Sequence, residues 1–220
     1  MRTLTERIRA QHGITETECM YYTRSGFGVS KSNRKMGPVP SFSISPVDSC
    51  PKGVPCATEG CLAVKIHNIY NESRLIWDTN YSLIGDLNAF VEEMTDLIQT
   101  CGFTMFRWHV GGDFDNTSYF KAICKICESV PKCQFLAFTK RYNFIDQFGD
   151  CIPWNLNIIL SAWGKYQPNA KLAELYATSY VIDEKHGMTA PADSYICDGG
   201  CWQCKKCFFM RDGHVAFHKH

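Results

Sequence analysis

Thirteen cysteines in a chain of 220 residues are the first chemistry this sequence offers. Seven of them fall into two runs. Cys50, Cys56 and Cys61 form a C-x5-C-x4-C run, and Cys197, Cys201, Cys204 and Cys207 form a C-x3-C-x2-C-x2-C run. Thiolates are soft ligands that suit iron–sulfur clusters or zinc. Three of them on one loop leave a coordination position free, which is how a metal centre stays reactive. The alternative is a structural site completed by a distant fourth cysteine. In the second run Gly199 and Gly200 can bend the loop so that four thiols converge on one centre. Its spacing is that of a bacterial ferredoxin run in reverse, where one cysteine of a run ligates a different cluster. Structural zinc is the rival reading.

The other candidates lie between the runs. Gly111-Gly112-Asp113 would let a ligand approach the backbone and offer it a carboxylate, or else form a strand-to-helix turn with a capping acid. Arg107 and His109 alternate on one strand, so their side chains are expected to face the same way and could bind an anionic group. Lys140 and Arg141 end the next strand and could do likewise. Cys124 and Cys127 sit on the apolar stripe of a helix, where a free cysteine behaves as a small hydrophobe. Cys19, Cys101, Cys133 and Cys151 have no partner at ligand spacing and read as structural. The terminal His218 and His220 could ligate metal or be solvated, and the basic set Arg24, Lys31, Arg34 and Lys35 could touch phosphate or form a solvated surface.

Composition narrows the setting. Apolar residues make up 45% and charged residues 20%, and the net charge is +1. That is an ordinary globular balance, and it disfavours a large nucleic-acid footprint. The N-terminal MRTLTERIRAQHG holds charge but no apolar run, and no stretch is long and apolar enough to span a membrane. A reducing, cytoplasmic setting with thiols available for metal is the expectation, rather than a disulfide scaffold.

The elements that must position these residues follow from periodicity. Residues 1–40 read as an irregular, basic lead-in. Residues 41–45 alternate as a short strand, and the first cysteine run follows in a Pro/Gly-rich loop. A helix is expected over 62–80 and a second over 86–101, capped by Asp86, with Leu87, Phe90, Val91, Met94, Leu97 and Ile98 in one stripe. Phe103 to Val110 reads as a buried strand. Asn116 caps the next helix, 134–139 is a strand, and a short helix lies near 142–149. Strands at 156–162, 178–182 and 214–217 and a helix near 169–177 complete the chain.

Strands alternating with helices indicate a parallel sheet. The expected fold is α/β, a partial barrel of about five or six units, since a closed eight-unit barrel takes about 250 residues. A doubly wound sheet is the alternative. In either, ligands sit beyond the carboxyl ends of the strands. The expected organisation is a lead-in (1–40), the barrel (41–192) and a cysteine-rich segment packed on the same domain (193–220).

A three-cysteine loop after the first strand, then Gly-Gly-acid after the second, resembles the radical S-adenosylmethionine domain over roughly residues 41–182. That family spaces its cysteines C-x3-C-x2-C and uses glutamate as the acid. The resemblance implies a [4Fe–4S] cluster on Cys50, Cys56 and Cys61, with Gly111, Gly112 and Asp113 receiving S-adenosylmethionine. Over most of its length the chain is more closely similar to a bacteriophage family known as gene product eighty-eight. That similarity rests on Ser30-Lys31-Ser32-Asn33 with Lys35-Met36, on Cys50-Pro51 leading to Cys61, and on Phe106-Arg107-Trp108-His109 with Gly112-Asp113-Phe114. Phe138-Thr139-Lys140, the closing cysteine cluster and Phe217-His218-Lys219-His220 complete it. It implies a phage-encoded metalloprotein of the host cytoplasm.

Two functions are carried forward. One is an iron–sulfur protein with one or two [4Fe–4S] clusters. It would be a radical-enzyme-like or other cluster-based redox enzyme, with His109, Arg107 and Lys140 lining a cavity, and with a small-molecule ligand or an electron donor as its partner. The other is a non-enzymatic zinc module that contacts a host protein or nucleic acid.

Overall fold

A computed structural model of the chain describes residues 20–219. Nine strands form one sheet in the order β1-β2-β3-β4-β5-β6-β7-β9-β8. They are β1 (Met20–Tyr22), β2 (Gly28–Ser30), β3 (Ser41–Phe42), β4 (Met105–Trp108), β5 (Gln134–Thr139), β6 (Leu156–Ser161), β7 (Thr178–Ile182), β8 (Tyr195–Ile196) and β9 (His214–His218). β1, β2 and β3 pair antiparallel. Every other pairing, from β3–β4 through β7–β9 and β8–β9, is parallel.

The sheet is open, with β1 on one edge and β8 on the other. The expected partial barrel therefore resolves to a mixed α/β sheet that does not close. Four helical crossovers link β3 through β7, rather than five or six units. They use α1 (Pro46–Ser49), α2 (Cys56–Glu59), α3 (Leu62–Ile69), α4 (Asn71–Leu83) and α5 (Leu87–Thr100), then α6 (Thr117–Ser129), α7 (Tyr142–Phe148) and α8 (Ala170–Leu175). Strands laid down in consecutive order by right-handed crossovers put their helices on one face. Phe90, Met94 and Ile98 of α5, Phe120, Ile123 and Ile126 of α6, Ile145 of α7 and Leu172 of α8 all pack into one apolar cluster. They meet Phe106, Trp108, Phe135, Ala137, Leu156, Ile158 and Leu160 of the strands there. Period-two alternation sends the intervening side chains to the opposite face. There Leu136, Ile159 and Val215 form a smaller cluster with Met36, Val39 and Phe208.

Two further one-turn helices, α9 (Cys201–Cys204) and α10 (Lys206–Phe209), carry the C-terminal cysteine run across that second face. Their attachment is specific. The Asn157 amide donates to the carbonyls of Cys207 (2.8 Å) and Met210 (2.7 Å), and Gln134 donates to that of Phe208 (2.9 Å).

From residue 20 on, the lead-in is not irregular. It forms the β1–β2 hairpin, with Phe27 and Val29 fully buried. The buried Asn80 of α4 fixes it by exchanging hydrogen bonds with the Gly28 backbone (2.8 and 2.9 Å) and donating to the Ser43 carbonyl (2.8 Å). The part of the lead-in before residue 20, with Cys19, lies outside the described residues, as does His220. The helix expected over 62–80 is two helices, because Tyr70 takes an extended conformation between them.

Candidate metal centres

The first cysteine run lies where parallel strands deliver it, beyond the carboxyl ends of β3 to β6. Cys50 is the residue that follows α1, Cys56 starts α2, and Cys61 is the residue that precedes α3. The three thiols are neighbours, short of metal-binding geometry: Cys56 donates to Cys61, and Cys50 lies near enough to interact with Cys61. Lys140 and Arg141, which follow β5, stand beside them. The Lys140 ammonium donates to Ser161 Oγ (2.6 Å), and Arg141 Nη2 donates to the Ser49 carbonyl (2.7 Å). The side chains at the ends of β5 and β6 are thereby joined to the turn that carries Cys50.

The three thiols are not equivalent. The hydrogen bond from Cys56 brings Cys61 down to about 6. The first N–H groups of α3, at Ala63 and Val64, and Lys140 act in the same direction. An anion at the start of a helix is stabilised in this way. Cys56, the donor, is pushed up by that bond and by burial. Burial, with Asp113 and Cys61 nearby, pushes Cys50 up to about 12. Of the three, Cys61 is the thiol most disposed to ionise, with Cys56 and Cys50 held toward the protonated form.

Gly111, Gly112 and Asp113 serve the protein itself. A Cβ on Gly111 would run into the Trp77 ring, so glycine admits the tryptophan of α4. Gly112 has φ +87°, and a Cβ there would lie 2.7 Å from the Ile44 carbonyl oxygen. The buried Asp113 carboxylate accepts from the Thr139 hydroxyl (2.6 Å), Lys140 N–H (2.8 Å) and Phe114 N–H (2.7 Å). It staples the end of β4 to the end of β5, and those three donors engage both of its oxygens. The expected ligand cradle is a strand-to-helix turn that positions Lys140.

Arg107 and His109 do not share a face. His109 takes a left-handed conformation, φ 57°, one residue after β4 ends, and this breaks the alternation. Its ring turns into the helical side of the sheet. There Nε2 meets the Tyr119 hydroxyl (3.0 Å) and the Phe114 ring stands edge-on. Burial, with Arg107 adding to it, lowers His109 to about 3, so it is a neutral core histidine at ordinary pH. Arg107 stays on the opposite face.

That face holds the second cysteine run. Cys197, Cys201 and Cys207 pack against the apolar cluster of Met36, Val39, Leu136 and Phe208. All three interact with the charge of Arg107. Burial pushes Cys207 up to about 12, and it pushes Cys201 up as well. Cys204 is exposed and lies 3.3 Å from the Tyr195 hydroxyl. Among the described residues, no three His, Cys, Asp or Glu side chains already stand at metal-binding geometry, and all described cysteines are free thiols.

The remaining cysteines divide by place. Cys124, Cys127 and Cys133 are buried, the first two on the core side of α6 as expected. Cys101 and Cys151 are exposed. Sequence reasoning missed Trp77, Ser49 and Tyr119, which hold the site residues in place. Among the described residues no helix is long and apolar enough to cross a membrane.

A family model described as Gene product 88 matches residues 14–213. No curated protein and no solved structure matches the chain.

Proposed function

Starting from the premise that the chain belongs to the Gene product 88 family, we propose that it is a metal–thiolate protein of the iron–sulfur kind. Cys50, Cys56 and Cys61 would hold a cluster with one coordination position open at the carboxyl edge of the sheet. Cys197, Cys201, Cys204 and Cys207 would hold a second, fully ligated centre. The observation that carries this is the nearness of three thiols, drawn from a stretch of loop and one-turn helices, with the Cys61 thiol brought down to about 6 by its hydrogen bond from Cys56. A thiolate is the form that binds metal.

The chain's own residues support a redox or ligand-binding role at that edge. Lys140 and Arg141 place positive charge beside the three thiols. They would offset the negative charge of a thiolate-bound cluster and favour a small anionic ligand at the open position. A bound cluster would supply one-electron chemistry. No part is assigned to S-adenosylmethionine, because Trp77, Ile44 and the donors to Asp113 fill the Gly111–Asp113 turn.

A zinc module that docks on a host protein or nucleic acid is the second reading. It is favoured by the exposed Ile196, Trp202 and Phe209, which flank the C-terminal thiols.

Purification without oxygen, followed by measurement of iron, acid-labile sulfide and zinc with a visible spectrum, tests the proposal. Two [4Fe–4S] centres predict a brown protein with about eight irons and matching sulfide. Zinc alone, with no iron or sulfide, would favour the docking module. No bound metal in any preparation would overturn both readings.

A further inference from the structure

Arg107 is an arginine in an unusual place. It lies mid-strand on β4, on the sheet face covered by the C-terminal segment. Its Nε is sealed from solvent without a hydrogen-bond partner, and Nη1 reaches only the Met36 sulfur, at 3.6 Å. The guanidinium lies over the Phe138 ring, 4.9 Å from its centroid. Among the described residues no carboxylate pairs with it. Cation–π contact and a thioether are weak compensation for removing a guanidinium from water. An arginine cannot escape by giving up its proton. Cys197, Cys201 and Cys207 pack against the same apolar cluster, and they are the groups whose negative form would stabilise the guanidinium.

We propose that the C-terminal quartet is a tetrathiolate metal site and that Arg107 is its built-in counter-cation. This rests on the metal–thiolate reading above and adds the residue that sets the charge of the second centre. Binding either a divalent ion or a [4Fe–4S] core of charge +2 on four thiolates releases the thiol protons to solvent and leaves two negative charges on the complex. Arg107 neutralises one of them from within the apolar face. Without metal, Arg107 is a buried cation with no anionic partner among the described residues. With metal, the guanidinium gains an anionic neighbour and one negative charge of the complex is offset. Arg107 is thus a positioning and charge-setting residue and makes no bond to the metal.

The roles predict opposite signs for one substitution. Arg107→Met removes a cation that has no acidic partner and fills its place with an apolar chain, so the metal-free protein becomes more heat-stable. The same change weakens metal binding by about 10- to 100-fold, the usual effect of losing an outer partner of a metal site. Arg107→Lys keeps the charge and restores most of the affinity.

The probe is cobalt(II) alone, titrated into the full-length, metal-free chain carrying Cys50→Ser, Cys56→Ser and Cys61→Ser. Sulfur-to-cobalt charge-transfer absorption reports thiolate ligation, and zinc competition gives the affinity. The expected result is one cobalt on four thiolates, weakened in Arg107→Met and recovered in Arg107→Lys. Equal affinity in Arg107→Met would overturn the counter-cation. No thiolate spectrum in the parent would overturn the quartet as a metal site, a distinct failure of the underlying reading. Should the triple-serine parent fail to fold, the absorption that the otherwise unaltered chain loses on Cys201→Ser with Cys207→Ser reports the same quantities.

Discussion

The two cysteine regions solve one problem in opposite ways. At the carboxyl edge, Cys61 sits at the start of a helix, accepts a hydrogen bond from Cys56 and has Lys140 near, and it is held as a thiolate. On the second sheet face, burial keeps Cys201 and Cys207 protonated, and the positive charge is already there in Arg107. One region supplies an anion in advance of a partner. The other supplies a cation that lacks one. A thiol's position relative to helix termini and apolar surface therefore matters as much as the spacing of the cysteines.

The largest expected effect comes from detaching the second region. Phe208 is 1% exposed and anchors α10 on the sheet. Phe208→Ala removes that anchor, and large-to-small changes of this kind cost about 3–5 kcal/mol. Urea unfolding measures the loss. A cost near zero would mean that the quartet segment is held by something other than its apolar contact.

A smaller effect is expected at the first region. Gly111→Ala drives a methyl group into Trp77, and overpacking typically costs about 1–3 kcal/mol. The same unfolding measurement applies. Indole fluorescence should also change, because Trp77 must move.

The subtlest test compares the thiols themselves. Cys61 has an ordinary value of 9.0 and a folded value of about 6. Its thiolate therefore adds stability that is complete above the ordinary value and is lost as pH falls through about 6. Alkylation of the metal-free chain at neutral pH, mapped by mass spectrometry, should label Cys61 well before Cys207, and the Cys61 rate should fall on acidification through pH 6. Equal rates at the two sites would erase the contrast.

Much of this scaffold was legible in the sequence. The strands 134–139 and 178–182 are found with the expected limits, and Asp86 and Asn116 cap their helices through side-chain hydrogen bonds. These are local signals of periodicity and caps. The β1–β2 hairpin was not legible, because three-residue strands carry too little alternation to be seen. Their stability comes from Asn80, fifty-two residues away from Gly28. The turning of His109 away from Arg107 depends on one backbone angle that strand alternation does not contain. Gly111 and Gly112 read as a ligand cradle because Trp77 and Ile44 reach them only in the folded chain. At the cysteines, the carboxyl-edge placement of the first run followed from the strand–helix order. The facing of the second run with Arg107 required the path of the C-terminal segment across the sheet.

The most direct test of the whole account is metal content per chain, measured after oxygen-free purification, in three proteins side by side. They are the unaltered chain, the Cys50→Ser, Cys56→Ser and Cys61→Ser variant, and the Cys197→Ser, Cys201→Ser, Cys204→Ser and Cys207→Ser variant. Two independent thiolate centres predict that each variant loses its own share of metal and keeps the other's. If folded variants keep the full metal content of the unaltered chain, or if none of the three carries metal, the account is contradicted.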